Sequence, residues 1–410
     1  MTQHDEEFYI IDNRSFHKKL ENVSTSVLHH LTMKQVHKLL DQPVDASISI
    51  FQNFTANKSG KCYYPFFLRE PFSLKEVDFC SLIEPLHLQQ LRDEKVIPLI
   101  CMISESWKLF NLEPDRIFHN SPYFNIINWL EKYGIKEQNV VWLTCDRYLK
   151  TDKRVKAKFI HFDFFLEQQK VLKNKFLPLT DVKHRYISMA QGVPRHHRYA
   201  ITYLLYKNDL LKYGAVSCVE YKNFSYITDT KTKTTDSYIS KLKDFNESVF
   251  DSFKNILPLT IDNKSTHIQV PDPGQRSPIN LHQDGRDESH LFKNVFLNVV
   301  NETHQQDELV FITEKTYRTI NYCRPFVVNG GPGSLKYLKE LGFQTFDKFW
   351  DESYDNELDD HERIYKILDI IKYICNLEEK QLDALYNGMV PILEHNYDTL
   401  KNYKQWYKLN

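Results

Sequence analysis

The clearest hydrophobic runs along the chain are short, continuous and rich in β-branched residues. That pattern marks strands buried on both faces of a parallel sheet, not half-exposed ones. The first is "KVIPLICMI" (95–103) and the next is "NVVWLTCD" (139–146). Between them "YFNIINWLEKYG" (123–134) spaces its apolar residues as a helix does and stops on a glycine. A further apolar run, "AKFIHFDFF" (157–165), predicts a third strand. Strand, helix and strand at this spacing predict βαβ units and a doubly wound domain. Residues 1–93 show no such order, because helical patches such as "VLHHLTMKQVHKLL" alternate with polar stretches.

The pattern then restarts. "RYISMA" (185–190) predicts a strand, "QGVPR" a turn, and "HHRYAITYLLYKNDLLKYG" a long helix that ends at Gly214. A polar region over 221–290 contains one helical stretch near "SKLKDFNESVFDSF". "VFLNVVNE" (295–302) and "RPFVVNGG" (324–331) predict two more buried strands, with the charged helix opening "FITEKTYRTI" (311–320) between them and a helix over "SLKYLKELG" (334–342) after them. The tail 376–410 is predicted helical, with Trp406 near its end. The expected fold class is α/β: two doubly wound halves that divide near 170–185, with ligand bound at the carboxyl ends of their strands in a cleft between them.

Composition narrows the class of partner. A chain of 410 residues is too long for one compact core, and 41% hydrophobic with 26% charged residues is a globular balance. The formal charge of −1 lacks the positive excess that nonspecific phosphate-backbone binding needs, so no nucleic-acid partner is expected. Locally, 147–198 carries 13 Lys/Arg against four Asp/Glu, while 347–362 carries eight acids against one Lys. The basic stretch is open to two readings, a solvated face or a wall facing an anionic small molecule. The seven cysteines form no CxxC pair, so neither a disulfide framework nor a zinc ribbon is indicated. The N-terminal residues lack a basic-then-apolar layout, and no run approaches the roughly 18 apolar residues of a membrane span. A cytoplasmic location is expected.

Three stretches carry candidate chemistry. In "FVVNGGPGSLKYLKEL", a strand runs through Gly330, Gly331 and Gly333 into a helix with Ser334 as a possible N-cap. Plain turn chemistry accounts for it, and so does close approach of backbone N–H groups to an anion. In "VPRHHRYAITYLL", Arg195 and Arg198 bracket His196 and His197 at a helix start, where cations oppose the helix dipole unless an anion is near. Adjacent histidines on a helix diverge and no third ligand stands close, so no metal is expected. In "FITEKTYRTI", Thr313 is a candidate N-cap, Glu314 suits the dipole and Lys315 opposes it. An exposed pairing of Glu314 with Arg318 is one explanation. The other has Lys315 meeting phosphate and Glu314 accepting hydrogen bonds from ribose hydroxyls.

The stretch "FITEKTYRTINYCRPFVVNGGPGS" resembles the donor-binding signature of the α1,3/1,4-fucosyltransferase-type glycosyltransferases: an aromatic, a β-branched residue, Thr-Glu-Lys, two residues and Arg, then a strand rich in Val and Gly. Over a wider span the chain is similar to glycosyltransferase-like proteins of large DNA viruses and phages. The resemblance implies a GT-B fold, two Rossmann-like domains facing each other across a cleft. With the donor held by the C-terminal domain, the expected division is an N-terminal extension or the start of the acceptor domain over 1–94, an acceptor-side domain over 95–178, a donor-binding domain over 179–375 and C-terminal helices over 376–410, which are expected to pack back on the N-terminal domain. It implies a nucleotide sugar, GDP-fucose, as donor substrate, a glycan or other hydroxyl as acceptor, inversion, and neither metal nor other cofactor. Carried over by position, Glu314 receives the ribose, Lys315 the diphosphate and Phe311 the base, with Thr313, Arg318, Gly330 and Gly331 in the same signature. The family usually has Tyr where this chain has Phe311, so that hydroxyl is missing. Glu302 stands near the family's Phe-Glu-Asn strand end at a spacing two residues different. Arg198, in "RYA", matches the family's R-x-A helix start as a second diphosphate clamp, with Arg195 beside it.

Inverting transfer needs a carboxylate on the acceptor side to take the proton of the attacking hydroxyl. Glu105 in "CMISESW", beside Trp107, follows the best strand of that half, Asp146 ends the next strand, and Asp163 is a third candidate. The family's own base motif has no counterpart in this chain. Two other functions are therefore weighed against the transferase: a nucleotide- or glycan-binding module without turnover, and a glycosyltransferase acting on modified bases of viral DNA.

Overall fold

The computed structural model describes residues 8–10, 61–67, 78–102, 122–145, 155–161, 163–167, 171, 179, 182–190, 195–223, 225–228, 231–261, 289–305 and 310–403. These residues are mixed α/β and form two compact units that meet in sequence at Phe164 and Phe165. Among them, no helix is long and apolar enough to cross a membrane.

The first unit is a parallel sheet whose strands lie in chain order, β1 (Phe8–Ile10), β2 (Lys61–Phe67), β3 (Ile97–Met102), β4 (Val141–Thr144) and β5 (Lys158–His161). Helices α1 (Pro85–Arg92) and α2 (Pro122–Lys132) precede and follow β3, so the predicted strand, helix and strand series is present. The run at 157–165 splits, because the strand stops at His161 and a short helix, α3, spans Phe164–Glu167. The core gathers Tyr64, Phe66, Ile100, Trp142, Ile126 and Leu130. Trp142 stacks on Phe159 at 5.8 Å. Buried Glu137 is satisfied by the Tyr123 hydroxyl at 2.6 Å and the Lys156 N–H at 2.8 Å. Strands β1 and β2 lie in the stretch whose pattern was unreadable: "KCYYPFF" is mostly aromatic, with neither alternation nor an aliphatic run.

The second unit carries the site. Its sheet holds β6 (His184–Ala190), β7 (Gly214–Cys218), β10 (Val295–Asn301) and β11 (Phe326–Asn329), all parallel, in the order β11-β10-β6-β7. An antiparallel pair, β8 (Ser225–Thr228) and β9 (Lys231–Thr234), stands apart from it. The chain goes outward from β6 to β7, then returns to the other side of β6 for β10. Strand order therefore reverses between β6 and β10, and the crevice at their carboxyl ends is where doubly wound sheets place ligands. Every residue of β10 and β11 is buried, as their mostly apolar runs predict.

Helix α4 (His196–Lys207) joins β6 to β7, and it is shorter than its sequence suggests. Asn208 caps it, Asp209 takes a left-handed φ of 57°, and Gly214 opens β7 instead of closing the helix. Gly214 is needed there, since a Cβ would meet the Tyr186 ring at 2.3 Å. Helices α5 (Thr235–Ile239), α6 (Glu247–Asn255) and α7 (Ser289–Phe292) precede β10. Helix α8 (Glu314–Asn321) joins β10 to β11, and α9 (Ser334–Glu340) follows β11. Two long helices, α10 (Asp360–Asn376) and α11 (Glu379–Asn402), end the described chain inside this unit, α10 packing on α4 and α11 on α8. The buried guanidinium of Arg324 ties α11 in. It donates to the carbonyls of Phe292 and Lys293 and to the Tyr386 hydroxyl of α11.

Candidate active site

Three chain segments meet at the reversal point: the first turn of α4, residues 302–305 after β10, and the first turn of α8. Thr313 is the N-cap of α8, and its hydroxyl accepts from the Lys315 N–H at 3.5 Å. The same hydroxyl donates to Glu302 Oε2 at 2.5 Å. Glu302 is fully buried, and its other oxygen accepts from the Thr313 N–H at 3.0 Å and the Thr316 hydroxyl at 2.6 Å. A buried carboxylate thus sits against the positive end of α8 with three donors on it, as a buried charge requires.

That carboxylate explains how Lys315 tolerates a helix start. Its ammonium stands 3.1 Å from Glu314 Oε1 and 3.9 Å from Glu302 Oε2, and donates to the hydroxyls of Thr313 at 2.9 Å and Thr303 at 3.3 Å. Two carboxylates therefore balance it locally. The side chain keeps 22% exposure, so it reaches the surface of the crevice.

The cations of α4 converge on the same loop. Arg195 is the N-cap residue of α4, and its Nε–H donates to the Thr303 carbonyl at 3.3 Å. Arg198 is buried and donates to the Glu302 carbonyl at 3.1 Å, and His197 Nε2–H donates to that carbonyl at 2.9 Å. Burial, reinforced by Arg195, pushes the Arg198 guanidinium down to about 10. Burial and the adjoining Arg198 hold His197 well below its ordinary value, so it is neutral. From α10, buried Arg363 donates to the carbonyls of Gln305 at 3.0 Å and Gly330 at 3.3 Å. Three arginines fix one four-residue loop.

His304 stands within this cluster. It is buried, with its ring 5.6 Å from Phe311, which packs edge-on against Phe165 at 5.5 Å. Burial, then Arg195, Arg198 and Lys315, push its imidazole down to about 3. Below the loop a polar chain runs across the strand ends. Asn301 donates to Ser188 at 3.0 Å, Asn329 to Asn301 at 2.8 Å, Gln305 to Asn329 at 3.2 Å, and the Tyr238 hydroxyl to Gln305 at 2.8 Å.

The structure thus brings Arg195, Arg198, Glu302, Phe311, Thr313, Glu314 and Lys315 to one crevice. Half-buried Arg318 lies one turn further along α8. Gly330 packs against Glu302, where a Cβ would meet that side chain at 3.2 Å. The two histidines of α4 diverge: His196 Nδ1 lies 3.1 Å from the Thr235 hydroxyl, while His197 points to Glu302. Among the described residues no cluster of His, Cys, Asp or Glu could hold a metal ion.

The glycine turn differs from its expected role. Gly333, at φ 82°, is the N-cap of α9, and Ser334 is its first helical residue. Two N–H groups of the first turn of α9 are taken by the protein's own Asp355, whose carboxylate accepts from Leu335 at 2.8 Å and Lys336 at 3.0 Å. Gly330 and Gly331 therefore serve close packing beside Glu302 and the start of a capped helix. Glu105, Trp107 and Asp146 lie outside the described residues. Asp163 is buried with a carboxylate oxygen 3.5 Å from His161 Nε2.

Sequence reasoning missed Thr303, His304, Thr316 and Asp355. The first two directly follow "VVNE" at the end of a buried strand, which is the position a doubly wound sheet assigns to ligand contacts. Asp355 gives no local signal, because it acts on a helix twenty positions upstream.

No protein family is matched by the chain, and no curated protein matches it. Among solved structures, a glycotransferase of kitacinnamycin is similar over 96% of this chain and 95% of its own, at 9% identity and a TM-score of 0.29. A likeness of that size leaves the chemistry to be read from the site itself.

Proposed function

We propose that the second unit binds a nucleotide sugar by its diphosphate and that the protein is a glycosyltransferase. The observation that carries this reading is the convergence of Arg195, Arg198 and Lys315 on the crevice where strand order reverses, with Glu314 at its edge. Positive charge fixed in advance by buried partners can stabilise a leaving diphosphate without reorganising as the bond breaks. Glu314 is the ribose contact, and Phe311, packed on Phe165 and His304, flanks the base. The fucosyltransferase-like signature refines this to GDP-fucose, inversion and a hydroxyl acceptor on a glycan. A carboxylate must then deprotonate that hydroxyl as the sugar passes through an oxocarbenium-like state, and Glu105 is assigned the role with Asp146 as second choice.

One observation favours a rival. Lys315 is matched by Glu302 and Glu314, so this cation is balanced without a substrate, as suits a nucleotide- or glycan-binding module that does not turn over. A panel of GDP-, UDP- and dTDP-sugars separates the two readings. The transferase binds one of them, raises its melting temperature with it and releases nucleotide when an acceptor is supplied. Binding without release for every acceptor tried leaves the module, and no binding at all ends both.

A further inference from the structure

Arg363, near the start of α10, is 1% exposed, and the transferase chemistry assigns it no task. Its Nη1 donates to the carbonyls of Gln305 at 3.0 Å and Gly330 at 3.3 Å, its Nε to that of Glu357 at 3.0 Å and its Nη2 to that of Leu358 at 3.4 Å. Asp360 accepts from both Nη atoms, at 3.0 and 3.1 Å. All three nitrogens are therefore engaged within the protein. The guanidinium spans the loop after β10, the turn after β11 and the entry to α10, which a planar fork of donors can do and a single ammonium cannot. Burial disfavours the charged form, and a buried ion pair is seldom worth more to stability than apolar packing of the same volume. What the arginine supplies is position.

The end of the loop is pinned by its side chain as well. Gln305 donates to Asn329 at 3.2 Å and accepts from the Tyr238 hydroxyl at 2.8 Å. At the other end, Arg198 and His197 hold the Glu302 carbonyl. Thr303 lies between these anchors and meets two cations of the crevice: Arg195 bonds its carbonyl and Lys315 its hydroxyl, each at 3.3 Å. A shift of the loop therefore moves both cations, and a charge that must be repositioned when an anion arrives is worth less than one already in place. We propose that Arg363 is a positioning residue of the anion site. From behind the loop it holds Gln305 and Gly330, and through Thr303 it keeps Arg195 and Lys315 where a diphosphate meets them. It touches no ligand itself. The inference rests on the diphosphate reading of the crevice and adds the residue that holds the loop in place.

Arg363→Lys keeps the charge and loses the fork. Its effect is read by titration calorimetry of the full chain with whichever nucleotide sugar of the panel stabilises the wild type most, beside a urea titration of the unliganded protein. Arg324→Lys is the control, because that guanidinium is as deeply buried and bonds Phe292, Lys293 and Tyr386, none of them in the crevice. Affinity is expected to be about ten-fold weaker in Arg363→Lys and within about two-fold of wild type in Arg324→Lys, while both variants lose stability to urea. In a Lys315→Ala background the loss from Arg363→Lys should shrink to about three-fold or less, because one of the two cations it positions is gone. Unchanged affinity in Arg363→Lys overturns the proposal. So does an equal loss in Arg324→Lys, or an undiminished loss in the Lys315→Ala background; in all three cases the diphosphate reading stands. Should Arg363→Lys not fold, Asp360→Ala carries the test, since it frees the guanidinium from its carboxylate partner and should weaken binding about three-fold. Wild-type affinity in that variant then overturns the proposal. Failure of every nucleotide sugar to bind the wild type removes both.

Discussion

At the scale of the residue, Glu302 organises the crevice more than the cations do. Removing either partner of a buried ion pair does not cost the same, because what matters is what stays buried and unmatched. In Lys315→Ala the Glu302 carboxylate keeps its three donors from Thr313 and Thr316, so the fold should survive. Loss of a preorganised positive group should cost about 3 kcal/mol of transition-state stabilisation, two to three decades in transfer rate. In Glu302→Ala the same three donors are left without an acceptor in a dry site, which should lower unfolding stability by about 3–5 kcal/mol. Equal losses of stability in denaturant titrations of the two variants would show that Glu302 is not the anchor. The buried imidazoles give a separate prediction with a definite sign. Burial, with Arg198 for one and Arg195 first for the other, keeps His197 and His304 neutral in the fold, His304 down at about 3. Unfolded histidine titrates near ~6.5, so this stability is fully present above that pH and is lost as pH falls towards the folded values. Urea midpoints should therefore decline from pH 7 to pH 5, before ordinary carboxylates titrate, and His304→Gln should flatten the decline. A midpoint constant over that interval in the wild type contradicts the assignment.

At the scale of the element, the acidic run at 347–362 divides between helix caps and ion pairs. Asp355 caps α9, Asp359 accepts from the N–H groups of His361 and Glu362 at the start of α10, and Asp360 pairs with Arg363 at 3.0 Å. Asp355→Ala should cost about 2 kcal/mol in unfolding free energy, since it orphans two N–H groups at a buried helix start. Nucleotide affinity should hardly move. If affinity collapses while stability holds, the glycine turn belongs to the ligand after all. These elements also show what the sequence made legible. Mostly apolar runs identified β3, β4, β10 and β11, because strands covered on both faces leave little room for polar positions, and the shorter apolar pattern of "RYISMA" identified β6. The short strand "GAVSC" went unread, and its Gly214 was taken as the end of the preceding helix, whose end is set by the left-handed Asp209 and not by that glycine. The charges of "FITEKTYRTI" were legible as a conflict with the helix dipole. Their partner Glu302 was legible only as the acid at a strand end, since nothing local places it beneath α8.

At the scale of the whole molecule, each sheet has its own core and its own strand order, and only the second reverses. The first runs β1 to β5 in sequence, so by the same topological rule it offers no reversal among its described strands. Every described member of the proposed diphosphate site belongs to the second unit, Phe165–Tyr403. Ligand binding to the native state raises stability by mass action, about 2.7 kcal/mol when the ligand stands at a hundred times its Kd. For a unit of that size this corresponds to a rise in melting temperature of about 5–10 °C. The gain should be local, because the contacts proposed for a diphosphate all lie on the loop 302–305 and the first turns of α4 and α8. Hydrogen exchange with a bound nucleotide sugar should slow in peptides covering 195–207 and 295–320 while those covering 97–102 and 141–144 stay unchanged. Protection concentrated instead on the strands of the first unit would move the nucleotide to that unit and leave Lys315 and Arg198 as the loop supports their hydrogen bonds already make them.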